Sequence, residues 1–232
     1  MVNLYKISDN IFCLKFNNNY DLCMHFLRAQ EFYESPFPEF KGEDFNLIDY
    51  MEKYARIYGD NVFTYPGDWC GFNIPSDVLK ECYFGNIVDI NRYDKFMLQI
   101  IQKISNNLGE NFSDRYYLIG ITEFDDTFDH EFAHALYSCT DSYREECDKL
   151  ILNLDYNLKT YITDYLLRIG YTPEVFDDEV QAYLSTGYDS IYKDATLTKK
   201  YFLKHDLKKA SKLFVELYYQ YKLTNYNFKE IK

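Results

Sequence analysis

The sequence predicts an α+β fold, mostly helical, with a small mixed sheet preceding the helix that carries residues 130–134. Three observations lead there. Apolar residues recur at three- and four-residue spacing through most of the chain after Asp44. Short apolar runs bounded by polar turns occupy the N-terminal region and residues 116–121. Most prolines and glycines, such as Pro36, Pro38, Gly42, Gly59, Gly109 and Gly187, fall at the ends of these segments or between them. At 232 residues the chain fits one domain, 1–232, long enough to bury a core. It divides naturally into an N-terminal lobe, 1–110, of unassigned role and a core, 111–232.

Taken in order, Ile11–Phe16 and Leu22–Leu27 read as short strands separated by the turn Asn17-Asn18-Asn19. Pro36, Pro38 and Gly42 make residues 31–42 a loop. Leu47, Ile48, Met51, Tyr54 and Ile57 predict a helix within 44–58, stopped by Gly59. Residues 62–75 form an aromatic loop around Trp69, either a specificity loop or a packing cluster. Ser76 is placed to cap a short helix, and Asn91 to start a longer one ending at Gly109. Tyr116–Ile121 is the clearest strand, followed by an acidic turn, Glu123–Asp126, and the motif helix. Helices follow at about 141–154, 156–168 and 173–186, the last with Thr172 as cap and Pro173 at its first position. An amphipathic helix over about 197–222 closes the chain.

Composition narrows the function. A net charge of -12 disfavours nucleic acid as a partner. The Lys-rich stretch 199–209 alternates with apolar residues and reads as the solvated face of a helix. No apolar run reaches the roughly 18 residues of a membrane span, and the N-terminus lacks the apolar core of a signal peptide. The six cysteines form no CxxC pair and are expected to be reduced thiols. A cytoplasmic location follows, with export as an effector the alternative.

Two of only four histidines lie in His130-Glu131-Phe132-Ala133-His134, an H-E-x-x-H match. On a helix, positions i and i+4 share a face, so His130 and His134 can reach one metal ion. Glu131, one step round, can approach a water beside that ion. Zn2+ lowers the pKa of such a water to about 7, and a carboxylate can take its proton. The flanking Phe128, Phe132, Ala133, Ala135, Leu136 and Tyr137 are apolar nearly all round, which predicts a buried helix. Buried imidazoles and a carboxylate need partners, and a metal supplies one. The competing reading is a pair of core histidines hydrogen-bonded to carboxylates, without metal.

A catalytic zinc usually keeps three protein ligands. The extended form with a third histidine is absent, since Tyr137 and Thr140 occupy its positions. Glu145 and Glu146 fall off the apolar face set by Tyr143, Cys147, Leu150, Ile151 and Leu154, so they point to solvent. Glu179 instead sits inside a stripe with Val175, Phe176 and Tyr183, where a carboxylate wants a cation. A salt bridge to a core Arg or Lys is the plain alternative to ligation. Asp178 can orient a ligand histidine as an outer hydrogen-bond acceptor.

With these residues the chain resembles the zincin metallopeptidases, in particular the gluzincins. Glu179-Val180-Gln181-Ala182 is similar to the E-x-x-A pattern that supplies their third ligand. The resemblance covers about residues 116–187. It implies a zincin-like fold, Zn2+ held by His130, His134 and Glu179, and Glu131 as general base in hydrolysing a peptide or protein substrate. It also implies that strand 116–121 lines the cleft and pairs its edge with an extended peptide. A Tyr or His would stabilise the oxyanion: Tyr183 first, with Tyr171, Tyr188 and His205 as competitors. Two other readings compete: a non-catalytic zincin-scaffold effector that sequesters a partner protein, and a deformylase-type hydrolase. The second lacks its motifs around Cys82.

Overall fold

The computed structural model describes residues 2–85, 87, 89–109, 115–194 and 197–231, without the side chains of 194 and 197–202. It is an α+β chain, mostly helical, with one five-stranded mixed sheet. It forms two compact units: residues 1–127 with 227–232, and residues 128–226. The contact boundary thus falls at 127/128 rather than 110/111, and the C-terminal residues return to the first unit.

The first unit contains β1 (Asn3–Lys6), β2 (Ile11–Lys15), α1 (Asn19–Glu34), α2 (Leu47–Tyr58), α3 (Tyr65–Asp68), β3 (Phe72–Pro75), α4 (Ser76–Phe84), α5 (Arg92–Leu108), β4 (Tyr117–Ile121) and β5 (Lys229–Ile231). The strand order is β3-β4-β2-β1-β5. β2 and β4 run parallel, Ile11 opposite Tyr117, and the other pairs are antiparallel. β4 is therefore bonded on both sides, by β2 and by β3, and every one of its residues is buried. This corrects the expectation of a peptide pairing with its edge: β4 is an inner strand, with β2 opposite all of Tyr117–Ile121 and β3 opposite Tyr117–Gly120.

The second correction concerns Leu22–Leu27, which is not a strand but the middle of α1. Asn18 caps this helix, its side chain accepting the Asp21 N–H at 2.8 Å. Leu22, Cys23, Met24, Phe26, Leu27 and Ala29 are all buried. A helix covered on nearly every side loses the 3.6-residue alternation and reads as a short apolar run. Gly120 in β4 shows how closely α1 packs: a Cβ there would lie 2.4 Å from the Phe26 ring. Arg28, on the same helix, is 2% exposed and has every N–H bonded. It reaches Asp94 (2.9 and 3.1 Å), Asp44 (3.2 Å) and the carbonyls of Phe45 (2.6 Å) and Asp89 (2.9 Å).

The expected helices of this unit form as α2, ending at Gly59, and α5, which starts with a capping box between Asn91 and Asp94 and stops at Gly109 with φ +59°. Ser76 is not a cap: it is the first residue of α4, and its hydroxyl accepts the Tyr116 N–H at 3.2 Å. Residues 62–75 hold α3 and β3, and Trp69 packs against Tyr65 and Phe72, both at 5.8 Å, so this segment is a packing cluster. β5, three mostly exposed residues, carries too little pattern to be read from sequence.

The second unit continues α6 (Asp126–Cys139) and adds α7 (Asp141–Leu152), α8 (Tyr156–Arg168), a 3-10 turn (Pro173–Val175), α9 (Phe176–Thr186), α10 (Asp189–Asp194) and α11 (Leu197–Asn225). Thr172 precedes the turn without bonding it through its side chain. α11 buries Leu203, Leu207, Ala210, Ser211, Phe214, Leu217 and Tyr218, a heptad-like stripe. Lys204, Lys208 and Lys209 lie on its exposed face; the side chains of 199–202 are outside the described residues. α11 holds α9 through Ser211 Oγ to the Leu184 carbonyl (2.8 Å), and holds α6 through Tyr218 (2.9 Å) and Lys222, which both bond Asp129. No helix among the described residues is long and apolar enough to cross a membrane.

Candidate metal centre

The candidate site lies wholly within the second unit. α6 is buried along Phe128 and Glu131–Leu136, with Tyr137 half-buried. Its one-turn spacing puts the His130 and His134 rings 4.9 Å apart at 83°. α9 faces them with Glu179, only 7% exposed. Glu179 Oε1 lies 3.6 Å from His134 Nε2, and Oε2 lies 3.9 Å from His130 Nε2. One ligand atom from each of the three residues falls within 4.8 Å of the others.

The outer nitrogens of both rings are committed. His134 Nδ1 lies 2.8 Å from Asp178 Oδ1, a carboxylate that can only accept, so Nδ1 carries the proton. Thr186 donates its hydroxyl to the Ala182 carbonyl at 2.8 Å, which leaves its oxygen to accept from His130 Nδ1 at 3.3 Å. Both Nε2 atoms therefore turn inward, 3.3 Å apart, toward a buried carboxylate. Two neutral imidazoles so placed would face each other with lone pairs, and such an arrangement needs a cation between them. In the metal-free chain a proton on His134 can take that place. Burial, reinforced by the charge of His134, holds the His130 pKa down. Burial also opposes a charge on His134, but the carboxylates of Asp178 and Glu179, with Glu131 beyond them, outweigh it and hold its pKa up.

The same distances match the needs of a metal ion. Two nitrogens bound tetrahedrally at the usual Zn–N length of about 2.0–2.1 Å stand about 3.3–3.4 Å apart, and the Nε2 atoms stand 3.3 Å apart. Two imidazoles and one carboxylate suit zinc, and also non-haem iron(II). The residues present fit such an ion.

The other site residues read from sequence fall as follows. Glu131, beside His130, is 7% exposed and close enough for its charge to act on His134. Tyr183 sets its ring against His130, centroids 5.0 Å apart at 69°. Burial and then the Glu179 charge push its phenol well above the usual range, with the nearby Tyr171 and Tyr165 hydroxyls acting in opposite senses. His205 is exposed on α11 beside Asp206. Glu145 and Glu146 are exposed on α7. The sequence reading missed Thr186, Gln181 and Tyr143. Thr186 carries no signal in its type or spacing. Gln181 does: it is a polar residue between Val180 and Ala182, open to the argument that singles out Glu179.

Comparison of the chain with protein-family models, with curated proteins and with solved structures found no match in any of the three.

Proposed function

We propose that this protein is a zinc-dependent metallopeptidase of the H-E-x-x-H kind, gluzincin-like in its ligand set, acting on a peptide or protein substrate. The observation that carries this reading is the pair of inward Nε2 atoms, 3.3 Å apart and closed by Glu179, on a helix that places Glu131 next to a ligand. The same two histidines and carboxylate would hold iron equally well; Glu131 in the second motif position is what favours hydrolysis.

His130, His134 and Glu179 would hold the ion. A zinc ion there supplies a Lewis acid that polarises a carbonyl and makes a water acidic near neutral pH. Glu131 is the group to take the proton of the attacking water and return it to the leaving amine, because it is buried, ionisable and adjacent to His130. Asp178 and Thr186 keep the ligand rings from turning. Tyr183, against His130, is the candidate donor to the oxyanion. Its hydroxyl would have to turn from the nearby tyrosine hydroxyls to the substrate.

Metal analysis of the purified protein beside a His134→Ala variant tests the site. One zinc per chain, lost in the variant, is expected, and a metal-free protein purified without chelator overturns the reading. Glu131→Gln should retain zinc and abolish peptide cleavage. Zinc with no cleavage of casein or of any candidate protein in the native chain would favour the sequestering effector.

A further inference from the structure

Behind the ligand pair runs a second polar chain, buried at Tyr143 and Gln181 and half-buried at Asp178. Tyr143 on α7 donates its hydroxyl to Gln181 Oε1 at 2.9 Å. Gln181 Nε2 donates to Asp178 Oδ1 at 3.0 Å, and the same oxygen takes His134 Nδ1–H at 2.8 Å. Gln181 and Tyr143 are both 0% exposed. Buried neighbours of Gln181 on α9 are the apolar Val180, Ala182 and Leu184 and the polar Glu179 and Ser185, so Gln181 sits in a polar seam within an otherwise apolar helix face. A buried amide costs free energy unless both its ends are bonded, and here both are.

The order of the chain has one consistent direction. The Asp178 carboxylate can only accept, so it takes the NH2 end of Gln181, and the carbonyl end is left to accept from the Tyr143 hydroxyl, which also lies 3.4 Å from Ser185 Oγ. A carboxylate at 181 would place two like charges side by side, whereas the amide donates. The Asp178 side chain is 29% exposed, so water competes for its oxygens. Gln181 reaches it from the dry side and pins the oxygen that His134 uses. We propose that Gln181, oriented by Tyr143, is a positioning residue that holds Asp178 and thereby fixes His134 with Nδ1 protonated and Nε2 turned to Glu179. Its consequence for metal affinity rests on the metallopeptidase reading; its consequence for the His134 ring does not.

The test is Gln181→Met in the full chain, with two readouts. In the metal-free protein, 15N-edited NMR reads the His134 Nδ1–H proton, expected to be slow to exchange in the native chain and lost or broadened in the variant. Titration with zinc alone should show a loss of affinity smaller than the about 10–100-fold expected for removing the partner that touches the ligand itself. The loss should vanish when Gln181→Met is introduced into an Asp178→Ala background, an outcome that a general loss of packing would not give. Tyr143→Phe removes a single oxygen, should act in the same direction to a smaller extent, and decides the matter if the first variant does not fold. An unchanged Nδ1–H proton in a folded variant overturns the proposal. A native chain that binds no zinc overturns the metallopeptidase reading instead, and the NMR comparison still decides this one.

Discussion

His134 Nδ1 lies 2.8 Å from Asp178 Oδ1, and this contact decides what the opposite face of the ring can do. With Nδ1 committed as a donor, Nε2 is the atom left to face His130 and Glu179. Thr186 commits the His130 ring in the same sense, though at 3.3 Å and through a hydroxyl. The two rings thus differ: one is held by a charge, the other by a neutral group. A charge-assisted bond is roughly twice as strong as a neutral one, so His134 is the better fixed of the two rings.

Asp178→Ala should accordingly weaken zinc binding by about 10–100-fold, and Thr186→Val by less. Competition with a chromophoric chelator measures both. Equal losses in the two variants would contradict the ordering.

The candidate cluster was legible because its chemistry conflicts with its surroundings. His130, His134 and Glu179 are ionisable groups at positions whose periodicity demands burial, and Asp178 follows as the neighbour of Glu179. Thr186 was not legible, since a threonine at the end of a helix conflicts with nothing. The helices with one apolar stripe, such as α2 and α5, were readable with their glycine stops. α1 was not, because burial on nearly all sides erases the stripe. The place of β4 inside the sheet depends on pairing with β2, about a hundred residues earlier, and with β3. Local pattern carries no record of such partners, so the strand was readable and its closed edges were not.

Glu179→Gln keeps the shape of the proposed third ligand and removes its charge. Zinc at about 100 times its dissociation constant should raise native stability by ~2.7 kcal/mol. The variant should lose most of this gain at the same zinc concentration, while its metal-free melting temperature still shows a folded protein. Thermal unfolding with and without zinc reads the difference. A full zinc-induced shift in Glu179→Gln would remove Glu179 from the ligand set.

Glu31 in the first unit supplies a pH dependence separate from the metal site. It is 1% exposed and accepts the Tyr65 hydroxyl at 2.8 Å. Burial raises its pKa, and the hydroxyls of Tyr50, Tyr65 and Ser35 offset only part of that rise. The folded chain therefore keeps this proton over a pH range where the unfolded chain, ionising near ~4.3, has released it. Because the native state binds more protons there, stability falls as pH rises from the unfolded to the folded pKa. Glu31→Gln retains an acceptor for Tyr65 and removes the charge. It should match the native chain in urea near pH 4 and exceed it at pH 7. A variant less stable than the native chain at pH 7 would contradict the assignment.

Arg28 gives the opposite case, a buried charge whose partners are all present. Its guanidinium joins α1 to the capped start of α5 through Asp94, which itself accepts the Asn91 N–H at 3.0 Å. Arg28→Met leaves the Asp94 carboxylate buried without its cation and frees the Phe45 and Asp89 carbonyls. Removing one member of such a pair costs about 3–5 kcal/mol. Much of this is the cost of the stranded charge rather than the worth of the bond. Adding Asp94→Asn to Arg28→Met should therefore recover part of the loss, since an amide oxygen still accepts from Asn91 and carries no charge. The two substitutions should couple by about 0.5–3 kcal/mol, read from urea midpoints of the four proteins in the cycle. Strict additivity would mean that Arg28 acts through its packing on Phe45, whose ring lies 5.3 Å from the guanidinium carbon, and not through the ion pair.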